Sequence, residues 1–146
     1  MNRQAQGFTL IELMVTVAVL AIIVVMAAPS FGEMLSNQNL NRSTQELIAT
    51  LKDARARAVL ERKEVTVELN KNPKDSTSTV LKWQPAGDAI LKSTTVSIVF
   101  NLSGGVKNAT TDTGFTVCNK SGGTKSKTFS VSPMGMIQQV TEGTCS

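Results

Sequence analysis

Gly7, Phe8 and Glu12 are the residues near the N-terminus whose types and spacing could do chemistry, inside the stretch GFTLIELMVTVAVLAIIVVMAAP at residues 7–29. An ionised carboxylate at bilayer depth costs at least ~2.5–3.5 kcal/mol even on lenient insertion scales, so Glu12 needs a partner. No Lys or Arg occurs from Gln4 to Asn41. Cleavage after Gly7 would create a cation, the α-amino group of Phe8, whose ordinary pKa is near 8. That amine could pair with Glu12 within one chain or with a neighbour shifted along an assembly. The plainer alternative is that Glu12 sits in the headgroup region, where a carboxylate favours the positive end of a helix.

Elsewhere the chemistry is sparse. The chain has no His and no Tyr, so the commonest general base and metal ligand is absent. The SGG triplets at residues 103–105 and 121–123 lack the Lys-Ser/Thr continuation of a phosphate loop. Asp53, Glu61, Glu64 and Glu68 read as surface charges, with nothing to pair them as a carboxylate dyad. Trp83 reads as a core or rim anchor ahead of a ligand-stacking group. Cys118 and Cys145 form no CxxC pair, and without His they complete no zinc site. They are a structural disulfide, which would require an oxidising compartment, or two buried thiols. No catalytic residue, metal or cofactor is expected.

The elements that must position these residues fall into two kinds. Residues 8–28 are apolar apart from Thr9, Glu12 and Thr16, and a helix of ~20 residues spans a ~30 Å hydrocarbon core. A cleaved secretory signal is the alternative, because AAPS at residues 27–30 imitates its cleavage site, but the apolar run is long for one. Pro29 is expected to kink or locally melt the helix. An amphipathic helix is expected over residues 29–62, with Phe31, Leu35, Leu40, Leu47, Leu51, Ala54 and Ala58 as its core stripe. Alternating apolar and polar residues predict strands at 64–70, 78–84, 94–100, 114–119, 127–133 and 136–140, separated by turn-rich segments. Connections too short for helical crossovers imply an antiparallel sheet. The fold class is therefore α+β: a long N-terminal, partly transmembrane helix packed on an antiparallel β-sheet domain at residues 63–146, with 40–62 as the packed part of the helix.

GFTLIELMV behind a short leader carrying Arg3 resembles the class III signal of type IV prepilins and type II secretion pseudopilins. The resemblance implies that residues 1–7 are a leader removed by a prepilin peptidase after Gly7, that Phe8 becomes N-methylated, and that Glu12 pairs with a neighbouring subunit's N-terminal amine. Residues 40–64 carry L-x-x-A-R-x-x-A at 51–58, and SPMGMI at 132–137 contains S-P-x-G. Both are similar to segments of the GspH/FimT/FimU minor pilin group. That group implies a single-pass inner-membrane protein with its C-terminal domain in the periplasm, later carried into an extracellular pilus. Its implied partners are the prepilin peptidase, other minor and major pilins, the inner membrane and the pilus assembly machinery.

Three functions compete. The first is a minor type IV pilin of the pilus tip or initiation complex that primes assembly. The second is a GspH-like minor pseudopilin of a type II secretion system; the cysteine pair tilts the choice toward the pilus, because disulfide-closed C-terminal regions are commoner there. The third is a DNA-binding pilin, using Lys107, Lys120, Lys125 and Lys127 to neutralise phosphates. DNA-binding relatives carry arginines just after the S-P-x-G turn, whereas this chain has Met136, Ile137, Gln138 and Gln139, so nucleic acid is not an expected partner. Formal net charge is only +4. Arg55 and Arg57 read as part of a solvated helix face, with contact to a neighbouring subunit as the alternative.

Overall fold

A computed structural model describes residues 8–145, excluding the side chains of residues 28 and 29. One helix, α1, runs Leu10–Glu61 and continues through position 29. It is followed by strands β1 (Val65–Leu69), β2 (Val80–Trp83), β3 (Ile90–Leu91), β4 (Ser97–Phe100), β5 (Thr113–Cys118), β6 (Ser126–Val131) and β7 (Thr141–Gly143). The chain divides into two compact units, Met1–Leu35 and Ser36–Ser146.

In the second unit the helix buries Leu40, Leu47, Leu51, Ala54 and Ala58, a spacing that keeps one stripe on one face. Phe31 and Leu35, expected in the same stripe, are instead exposed at 71% and 59%. Past Leu35 the buried face begins with Ser36, whose hydroxyl donates to the Asn119 carbonyl at 3.1 Å. Ser43, fully buried, accepts from the Ala86 backbone N–H at 2.8 Å. These serines satisfy polar backbone groups under the helix, which would otherwise cost about 1–3 kcal/mol each. Arg62 takes a left-handed conformation at φ 51°, turning the chain out of the helix toward β1.

The strands form two sheets, ordered β2-β1-β4 and β3-β5-β6-β7. Val65, Val67 and Leu69 of β1, Leu81 and Trp83 of β2, and Ile98 and Phe100 of β4 point inward at every second position. In the other sheet Phe115 and Phe129 face each other across β5 and β6 and stack with ring centroids 5.3 Å apart. All these side chains join the helix stripe in one core. Trp83 is 2% exposed, in keeping with the core-anchor expectation.

Three details depart from the sequence expectation. The β1–β2 pair is parallel, with Val67 opposite Leu81, so the first sheet is mixed. Returning along a strand of this length takes only about five extended residues at ~3.3 Å each. The connection at residues 70–79 therefore reaches back without a helix, through a single 3-10 turn at Pro73–Asp75. The expected strand at 136–140 is absent: Ile137 makes one bridge to Val131, and regular pairing resumes only when Thr141 meets Thr128. Between those points 138–140 oppose 129–130, one residue too many, and a bulge breaks the ladder. Lastly, the short strands β3 and β7 lie outside every expected strand.

Candidate functional site

The first unit presents the candidate assembly segment. From Leu10 to Met26 its large apolar side chains are 50–77% exposed, and Phe8 is 83% exposed. An 18-residue window has mean hydropathy 2.8 with none of it buried, so the helix is long and apolar enough to cross a membrane. Each Leu, Ile, Val or Met left in water forgoes about 1.5–3 kcal/mol of burial, a strong drive toward lipid or other helices. Thr16 does not oppose this, because its hydroxyl bonds inside the helix to the Leu13 carbonyl at 2.8 Å.

Glu12 lies in the first turn of α1. Its backbone N–H donates to Thr9 Oγ1 at 3.3 Å, and the Thr9 hydroxyl in turn lies 3.5 Å from Glu12 Oε2. Threonine followed three residues later by glutamate is the pattern of a capping box, which satisfies otherwise orphaned N-terminal N–H groups. The role of Thr9 was missed in the sequence, although T-x-x-E is its visible signal. Gly7 lies outside the described residues, and at Pro29 only the continuation of the helix is described.

In the second unit a second constellation comes together around Arg55. Its Nε donates to the Gly104 carbonyl at 3.1 Å, so this arginine is half-buried and holds a loop, unlike the solvated face expected for it. Gly135, at φ 76°, packs on the same carbonyl: a Cβ there would collide with Gly104 O. The S-P-x-G turn and the L-x-x-A-R-x-x-A helix segment, read separately in the sequence, thus meet at Gly104. Arg57 stays outside, paired with Asp53 at 2.8 Å, and this carboxylate raises its pKa further through a hydrogen bond and charge attraction.

Cys118 and Cys145 form a disulfide with Cα atoms 5.8 Å apart, tying the end of β5 to the chain just past β7. Of the lysines proposed for phosphate binding, two already face carboxylates. Lys107 is paired with Glu64 at 2.7 Å and Lys127 with Glu142 at 3.3 Å. Lys125 and Lys127 line a cavity of about 340 Å³ together with Glu142, a carboxylate that would repel phosphate. Among the described residues no group of three or more acidic or thiol side chains is placed to hold a metal ion.

Comparison with known proteins agrees with this layout. Residues 2–28 match the prokaryotic N-terminal methylation motif, and residues 43–135 match the family described as type II transport protein GspH. Two fimbrial proteins of Pseudomonas aeruginosa are 37% identical to the chain over 71 residues, 49% of this chain. The match covers only 44% of the length of those curated relatives. A crystal structure of the Pseudomonas aeruginosa type IV minor pilin FimU shares the fold, with a TM-score of 0.52 at 24% identity over 72% of this chain and 90% of that one. A methylation motif on an uncovered apolar helix, followed by a domain that the GspH family matches over most of its length, places the chain in the family described as type II transport protein GspH.

Proposed function

We propose that this protein is a minor type IV pilin that is cut between Gly7 and Phe8, N-methylated on Phe8, and then joins a tip or initiation complex that primes pilus assembly. The observation that carries this reading is the uncovered helix that begins with Glu12 in its first turn, within the methylation motif. Before cleavage the helix is stored in the inner membrane, with the C-terminal domain on the periplasmic side. Cleavage supplies the Phe8 amine, which pairs with Glu12 of a neighbouring subunit and replaces the Thr9 contact as the partner of that carboxylate. The helix then leaves lipid for the company of other pilin helices. Glu12→Ala and Gly7→Ala should each abolish piliation or retention of the subunit in pili, scored by electron microscopy and by immunoblot of sheared fibres; unchanged piliation and retention would sink the mechanism.

A second reading, a minor pseudopilin of a type II secretion system, is favoured by the description of the matching family itself. It uses the same cleavage and the same ion pair. Deleting the gene separates the two: loss of twitching supports the pilus, and loss of exoprotein secretion supports the pseudopilus.

A further inference from the structure

A groove of about 570 Å³ lies between the last turns of α1 and the turn at residues 132–135, with Ala56, Val59, Leu60, Met136 and Ile137 among its walls. Leu60 is 82% exposed and Met136 61%, and Met134 beside them is 75% exposed. Scattered exposed apolar residues are ordinary, but a convergent set around a groove marks a contact surface. Methionine suits such a surface, since its flexible thioether adapts to the shape it meets.

The charged residues lining this groove are Lys52 and Arg55, both cations. Lys52 has no carboxylate within ion-pair distance among the described residues. Arg55 uses Nε on Gly104, and no acceptor is found for its Nη groups among the described residues. A half-buried guanidinium with its fork open beside apolar walls matches a carboxylate flanked by an apolar side chain. Nucleic acid fits poorly, because the groove has two cations and no aromatic platform.

We propose that this groove docks an apolar, carboxylate-bearing segment of a different pilin subunit, an inference that rests on the pilin reading above. The apolar side chain of that segment enters between Leu60 and Met136, and its carboxylate meets Lys52 and the Arg55 fork. The test uses the full-length chain in its native membrane, carrying photoreactive benzoylphenylalanine in place of Leu60, of Met136, or of exposed Lys74 as a control. Expected are adducts from the first two positions to a peptide of another pilin that contains Asp or Glu, well above the Lys74 control. Lys52→Glu should lower their yield by roughly tenfold, as for a charged contact turned repulsive. Lys52→Arg should preserve the yield, and reversing the partner's carboxylate to Lys should restore it in the Lys52→Glu chain. Yields equal to the control, yields indifferent to Lys52→Glu, or adducts to a second copy, lipid or nucleic acid would overturn the proposal. Incorporation into sheared fibres is scored in the same cells. A chain that assembles without these adducts overturns the groove alone, whereas one that is never processed or assembled overturns the pilin reading and the groove with it.

Discussion

The two stretches of α1 share one backbone conformation and differ in almost everything else. Up to Leu35 its large apolar side chains are uncovered, whereas from Ser36 onward one face is sealed by two sheets and the exposed side is mostly polar and charged, with Val59 and Leu60 as exceptions near the end. Helical periodicity separates the sides of the later stretch, but the earlier one is apolar all round from Leu13 to Met26 apart from Thr16. A helix of that kind is stable only inside lipid or among other helices. Helix formation is thus common to both, and the partner is what differs: the domain supplies it for one, and the surroundings must supply it for the other.

The sharpest way to break this contrast is the same substitution on each side of the division. Leu51→Ala, at a fully packed site, should destabilise the second unit by about 2–5 kcal/mol. Leu20→Ala should leave that unit within about 0.5 kcal/mol of the parent. Urea unfolding of the detergent-solubilised chain, followed through the fluorescence of Trp83, its sole tryptophan and a core residue, reads both. A comparable loss from Leu20→Ala would mean the two stretches are not energetically separate.

Removing the disulfide with Cys118→Ser and Cys145→Ser together should cost about 3–4 kcal/mol on the chain-entropy account of a 27-residue separation. The loss should appear as a lower urea midpoint, and reductant should reproduce it in the parent. Gly135→Ala should cost about 1–3 kcal/mol, since it strains a left-handed backbone and pushes against Gly104 O. Circular dichroism melts of the two chains compare them directly. The smallest effect belongs to the other stretch: Thr9→Val should weaken the first turn by about 1 kcal/mol, seen as faster amide exchange near Glu12 with an unchanged Trp83 midpoint.

These contrasts also explain what the sequence disclosed. The apolar run and the alternating strands were legible because burial repeats at the period of the backbone, as in Val65, Val67 and Leu69. The strand β7, Thr-Glu-Gly, has no apolar residue to announce it; it exists because β6 offers an edge and the disulfide holds the chain nearby. Two-residue β3 is too short to show alternation. The parallel pairing of β1 and β2 depends on where a connection travels, which composition does not encode. Arg55 looked solvated because its acceptor, Gly104, is remote in the chain. Phe31 and Leu35 carried the correct period but lie before the start of the buried face, so periodicity alone placed the edge of the core too early.

Thr16 has a quieter consequence. With its hydroxyl folded back onto the Leu13 carbonyl, the helix from Leu13 to Met26 presents an almost wholly apolar surface, aliphatic apart from the thioethers of Met14 and Met26. A smooth rod of this kind can slide along its neighbours with little to choose between one offset and the next. On the proposed assembly reading, the polar group that could set the stagger lies at the tip of the rod, where Thr9 and Glu12 stand together, and a subunit without that notch would have nothing to hold its place in the fibre.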